Sequence, residues 1–328
     1  MNDKLSMMRT LYRIIIVIVV LLTTSCTSHY AVRGESVQAP RLAESHFVGS
    51  DGASLPVDID HAAENPQAVV IAVHGFNDYR GAFELIIPHL VNHHITVYSF
   101  DQRGFGQTEQ RGYWPGTASL IQDLAELVVE VRQTHPRLPL YLLGDSMGGA
   151  VTMVSLLQED FPEVEGVILN APAVWGGESF NLFYRGVLWL ASKVMPGKIV
   201  TGSGVKIKVS DNIPHLRKMG KDPHLIRRTR IDTLRGLVGL MDDAVEAGER
   251  FHQTQTPVLF LYGLKDEVIP RRSVCKFMTN FTGQTDYSFY DNGYHLLLRD
   301  KNAYLVWEDI VSWIKDRQVN NGSPQLTC

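Results

Sequence analysis

The sequence is poor in cysteine: three residues in 328, at Cys26, Cys275 and Cys328. That count excludes a disulfide-stapled scaffold and a cysteine-based zinc or redox centre, both of which need several cysteines at short spacing. Net charge is also small, since 31 Lys and Arg stand against 35 Asp and Glu. A slightly acidic chain offers no electrostatic footprint for nucleic acid. Internal repeats, heptad arrays and low-complexity blocks are absent. So are a dinucleotide fingerprint and a cluster of metal-ligand motifs, and no cofactor or metal is expected. The apolar run Ile14–Leu22 has nine residues, short of the roughly 20 that a membrane-spanning helix needs. What the chain does have is 45% hydrophobic residues, enough for one large α/β domain or two small ones.

Lys4, Arg9 and Arg13 precede that run, and Thr23-Thr24-Ser25-Cys26 follows it. A positive start, a short apolar stretch and small residues before a cysteine resemble a bacterial lipoprotein signal peptide. The resemblance implies that residues 1–25 are removed and that Cys26 carries lipid, with 26–41 as a tether. Thr23 stands where leucine is more usual. Thr27, in place of an aspartate that retains lipoproteins at the inner membrane, implies the outer membrane of a Gram-negative cell envelope. A plain secretory signal or an uncleaved anchor are the alternatives. In that compartment Cys275 and Cys328 either pair or remain free thiols.

Apolar runs of strand length at Ala68–Val73, Ile95–Phe100, Leu138–Leu143, Gly166–Asn170, Pro257–Tyr262 and Thr285–Tyr290 alternate with helical patterns. The helices are expected at Gly81–His93, Thr117–Thr134, Met147–Gln158, Arg271–Phe281 and Asn302–Arg317, and a hairpin over His46–Asp60 turns at Ser50-Asp51-Gly52. This alternation predicts an α/β fold with a mostly parallel sheet covered on both faces. It breaks over residues 172–235, a stretch too long for a loop in a compact domain. That stretch is read as a helical cap inserted between core segments 42–171 and 236–318, with 319–328 as a tail. Phe180-Asn181-Leu182-Phe183-Tyr184 and Val187-Leu188-Trp189-Leu190 give the cap an oily face, either a wall of an acyl pocket that dips into a membrane surface or packing against the core. Its later part is basic, from Lys206 and Lys208 to Arg230.

Gly144-Asp145-Ser146-Met147-Gly148 follows a buried-strand pattern and opens a helix. A G-x-S-x-G in that setting is a sharp turn that presents its serine. Ser146 needs a base to become nucleophilic. His295, directly after Thr285–Tyr290, is the candidate among 12 histidines. Asp266, after Pro257–Tyr262, is the candidate orienting carboxylate, with Glu267 as its rival. The developing oxyanion needs aimed donors, expected at the backbone N–H groups of Met147 and of Phe76 in His74-Gly75-Phe76-Asn77. His74 is expected to shape that loop. Asp101 and Arg103 are expected to form a loop ion pair or turn, and His89, His93 and His94 to be structural.

His74-Gly75-Phe76, Asp101-Gln102-Arg103-Gly104-Phe105-Gly106, Gly144–Gly149, Lys265-Asp266 and His295 together resemble the α/β-hydrolase superfamily. Within it the chain is similar to the monoacylglycerol lipase and lysophospholipase group, related to the S33 serine aminopeptidases, from about Phe47 to Trp313. The resemblance implies an eight-stranded, mostly parallel sheet and a serine hydrolase of monoacyl lipid esters. It implies Ser146, Asp266 and His295 as the triad, and Phe76 and Met147 as oxyanion donors. The expected partners are the lipid substrate and, through Cys26, a membrane, with no nucleic acid and no obligatory protein partner. Two residues depart from the family pattern: Asp145, where histidine is common, and Phe76, where a smaller residue is common. The alternatives are a proline-aminopeptidase-like amidase on the same fold and a non-catalytic surface lipoprotein.

Overall fold

The computed structural model describes Tyr12 and residues 30–62, 64–176, 181–202, 206–323, 325–326 and 328. Apart from Tyr12, the expected signal peptide lies outside the described residues, as does Cys26. Strands β1 (Arg41–Leu42), β2 (His46–Val48), β3 (Ser54–Asp60), β4 (Ala68–Val73), β5 (Ile95–Phe100), β6 (Leu140–Asp145) and β7 (Gly166–Asn170) precede the insertion. The short β8 (Ile199–Val200) and β9 (Thr229–Arg230) lie in the insertion, and β10 (Val258–Gly263) and β11 (Thr285–Tyr290) follow it.

The main sheet runs β1-β2-β3-β5-β4-β6-β7-β10-β11. The six strands from β5 to β11 in that order are parallel, and β1 to β3 form an antiparallel edge. The sheet therefore has nine strands rather than the expected eight. The extra one comes from the end of the expected tether, where Arg41 and Leu42 pair with Val48 and Phe47. Residues before it also lie on the core: the Arg33 guanidinium donates to Asp123 at 2.7 Å, and also pairs with Glu126.

Along β4 every residue is buried, and alternate side chains enter opposite cores. Val69, Ile71 and Val73 join a cluster with Leu120, Leu124, Val151 and Val238. Ala68, Val70 and Ala72 join one with Leu90, Ile310 and Trp313. This two-sided burial is why the strand reads as an unbroken apolar run. The chain steps from β4 outward to β5 and then back across to β6, so the strand order reverses beside β4. At such a reversal, the carboxyl ends of the strands leave a crevice for ligands.

Helices Thr117–Thr134, Met147–Ser155 and Ile231–Glu249 cover the first of these cores, and Ile87–Asn92 and Ala303–Asp316 the second. The expected single helix over Gly81–His93 divides into a 3₁₀ turn, Arg80–Phe83, and the helix Ile87–Asn92, which has Pro88 in its first turn. Proline is tolerated there because the first helical N–H groups have no intrahelical partner. The insertion carries helices Leu182–Val194 and Ile213–Met219. Cys275 and Cys328 are joined in a disulfide, with Cα atoms 5.7 Å apart. The structure thereby closes the choice between bridge and free thiols. Among the described residues no helix is long and apolar enough to cross a membrane.

Candidate active site

β6 ends at Asp145, and the next residue, Ser146, turns the chain with φ +51° and ψ −111°. Such a backbone costs about 1–3 kcal/mol and persists only where its surroundings fix it. Two glycines allow the turn. A Cβ on Gly148 would strike the Val73 carbonyl of the adjacent strand, and one on Gly144 would lie 2.6 Å from the Cα of Gly149. The helix Met147–Ser155 starts at once, so the serine stands between a strand end and a helix N-terminus.

The loops after β10 and β11 complete the constellation. His295 Nε2 lies 3.0 Å from Ser146 Oγ, and its Nδ1 lies 2.8 Å from Asp266 Oδ2. The other Asp266 oxygen, Oδ1, accepts the backbone N–H groups of Val268 and Ile269 at 2.7 and 2.9 Å. These bonds leave the carboxylate one orientation, facing the imidazole. Glu267 turns the other way and accepts the backbone N–H of Lys208 in the cap at 2.7 Å. The backbone N–H of Lys265 donates to the Gly293 carbonyl at 2.9 Å, tying the two loops together.

Burial alone would push the His295 imidazole down. The charge and hydrogen bond of Asp266, joined by the charge of Asp145, outweigh burial and hold it above the ordinary value, against the opposing charge of Arg299. His74 is buried and shapes its loop as expected, with Nδ1 donating to the Gly75 carbonyl at 2.8 Å and Nε2 accepting the Gln102 N–H at 3.0 Å. Asp101 and Arg103 are structural but do not pair with each other. Asp101 holds Arg80 at 2.7 Å, whereas Arg103 bonds Asp123 and Asp51.

Among the described residues, neither the Phe76 nor the Met147 backbone N–H donates to a protein acceptor. Phe76 and Ser146 share the wall of a cavity of about 440 Å³ with His295, Trp175, Leu188, Leu237, Val238 and Met241. Met147 is the first residue of its helix, where backbone N–H groups point outward without intrahelical partners. The cap helix reaches the cavity wall through Leu188, while Leu182, Phe183, Tyr184 and Trp189 of that helix are exposed. Of the basic cap residues, Lys208 donates to the Tyr294 hydroxyl at 2.8 Å and Arg230 holds Asp232 at 2.7 Å.

Sequence reasoning missed Arg299. It is buried, 2.8 Å from Asp78 and 3.5 Å from Asp145, and all three line the cavity. Burial raises the Asp145 carboxyl above its usual range, an effect tempered by Arg299 and His295. The unusual Asp145 was the only local signal; nothing in Leu297-Leu298-Arg299 marks a partner for it.

Residues 64–302 match the model of the family described as serine aminopeptidase, S33. The chain belongs to that family. The match spans Phe76, Ser146, Asp266 and His295. A monoacylglycerol lipase of Mycolicibacterium smegmatis is 25% identical over 286 residues, covering 83% of this chain and 96% of that protein. Human monoglyceride lipase is 25% identical over 284 residues, covering 85% and 92%. The structure of a soluble variant of monoglyceride lipase from Saccharomyces cerevisiae, in complex with a substrate analogue, superposes with a TM-score of 0.71. It is 19% identical and covers 90% of this chain and all of that one, a likeness of fold. This S33 protein is thus an α/β hydrolase in fold and in family.

Proposed function

We propose that the protein is a serine hydrolase that cleaves carboxylic esters of monoacyl lipids, monoacylglycerol or lysophospholipid, through an acyl-enzyme. The observation that carries this reading is a Ser146–His295–Asp266 relay at 3.0 and 2.8 Å opening on an apolar cavity. Ser146 Oγ attacks the ester carbonyl carbon while His295 Nε2 takes its proton, and Asp266 steadies the imidazolium that forms. The oxyanion draws on the Phe76 and Met147 N–H groups, a pair of donors of a kind worth about 3–4 kcal/mol each in the transition state. His295 returns the proton to the leaving glyceryl oxygen, and water, deprotonated by the same imidazole, releases the fatty acid. The acyl chain lies along Leu188, Leu237 and Met241. The lipases among the relatives act on such esters by name.

An aminopeptidase on this fold needs a carboxylate for the substrate's ammonium. Asp78 and Asp145 line the cavity, but Arg299 already compensates both, which favours the ester. The test is a panel of monoacylglycerol, lysophospholipid, p-nitrophenyl butyrate and aminoacyl-anilide. Ester kcat/KM well above anilide kcat/KM is expected, and the reverse ranking rejects the lipid-ester reading.

Membrane attachment through lipid on Cys26 belongs to the same proposal. Tyr30, four residues on, borders a groove with Trp189 of the cap helix. Four residues span at most about 14 Å, so the anchor would hold the cap side toward an outer-membrane leaflet. A mature chain beginning at an unmodified Cys26 would contradict this.

A further inference from the structure

The helix Ile87–Asn92 and the last helix, Ala303–Asp316, pack on the face of the sheet opposite the catalytic cavity. His89 and His93 are four residues apart there, with ring centroids separated by 4.4 Å. His89 Nε2 faces Glu308 Oε1 at 3.2 Å. Nitrogen and carboxylate ligand atoms of His89, His93 and Glu308 all lie within 4.8 Å of one another.

The hydrogen-bond pattern suits a cation. His93 Nδ1 donates to the His89 carbonyl at 2.8 Å. That bond fixes the ring and leaves Nε2 with its lone pair, the usual way a ligating histidine is oriented. His89 Nε2 is buried and makes no hydrogen bond, despite its approach to Glu308. The charges of Glu308 and Lys315 both reach His89, with opposite sign. An imidazole nitrogen without a hydrogen bond, a lone pair on its neighbour and a carboxylate, all within 4.8 Å of one another, attract around a positive ion.

We propose that His89, His93 and Glu308 bind one divalent transition-metal ion of the zinc type, clasping the two helices together. Two imidazoles and one carboxylate form a donor set zinc accepts, with water completing the shell. Calcium and magnesium prefer oxygen throughout. Zinc bond lengths place tetrahedral ligand atoms about 3.3 Å apart. Glu308 supplies the closing movement, because its side chain is 48% exposed. The nearby Lys315 weighs against the ion and keeps the affinity moderate. The site does not depend on the reaction at Ser146.

The test is titration of the untagged, chelator-treated full chain with Zn²⁺, read by calorimetry and by thermal unfolding. One equivalent is expected to bind and to raise the melting temperature. His93→Gln and Glu308→Gln should each weaken binding at least tenfold while leaving the zinc-free melting temperature near that of wild type. Glu308 is surface-exposed, so its variant keeps the test sound if His93→Gln folds poorly. Ca²⁺ should give no shift. Failure of wild type to bind, equal binding by Glu308→Gln, or an equal shift with Ca²⁺ overturns the proposal.

Discussion

Arg299 lies 3.5 Å from Asp145, the residue immediately before Ser146. The same guanidinium holds Asp78 at 2.8 Å, so two buried carboxylates share one cation beside Ser146. The Asp145 charge reaches His295 and helps to raise it. Catalysis needs the neutral imidazole, present above its own pKa, so the acid limb of activity should fall above the ordinary histidine value.

Asp145→Asn removes that charge, which lowers the His295 pKa and moves the acid limb of kcat/KM to lower pH. The Asn170 amide, which donates to Asp145 Oδ1 at 2.6 Å, can still donate to the carbonyl oxygen of the substituted side chain, so the fold should hold. A pH–rate profile checks this. An acid limb that stays in place, or moves upward, would separate Asp145 from His295.

Asp266 and Glu267 are adjacent but face different partners. Asp266→Asn should reduce kcat by about 10⁴-fold, because the imidazole loses its correct tautomer and the support for its positive form. Glu267→Gln should leave kcat close to wild type, since that carboxylate meets the cap through Lys208. Steady-state kinetics on both variants decides between them.

The grouping of Ser146, Asp266 and His295 was legible because Ser146 and Asp266 follow strands with plain apolar runs, His295 follows the less apolar Thr285–Tyr290, and the serine turn requires glycines at fixed positions. The Thr117–Thr134 helix was legible in full, its apolar period being unbroken. Features made by distant partners left no such trace. Arg41–Leu42 is too short to show a period, and it becomes a strand only because β2 offers an edge. Arg299 meets Asp78 and Asp145 across more than 150 positions of chain, a pairing no local pattern encodes. The cysteines carried no spacing signal, and only the docking of the chain end onto Phe289 through Ser323 brings Cys328 near Cys275. His89 and His93 did carry a signal, the four-residue spacing that puts two rings on one helical face, but Glu308 was invisible beside it.

The disulfide closes a loop of 53 residues. Cys275→Ser should cost about 2–4 kcal/mol of stability by releasing that constraint on the unfolded chain. Thermal unfolding should show a lower melting temperature, reproduced in wild type by reductant. Activity at room temperature should be retained, because the helix Arg271–Asn280 contributes no residue to the catalytic cavity.

Leu188 brings the cap to the cavity wall. Leu188→Trp should fill part of the acyl space, lowering kcat/KM for long-chain monoacylglycerol far more than for p-nitrophenyl butyrate. A uniform loss across chain lengths would place the acyl chain elsewhere.

The central claim is that His295 activates Ser146 as a nucleophile, and a fluorophosphonate measures this directly. Intact-mass and peptide analysis should find one phosphonyl adduct, on Ser146, in wild type, none in Ser146→Ala, and greatly slowed labelling in His295→Gln. Folded wild-type protein that stays unlabelled, or carries the adduct on another residue, would contradict the account.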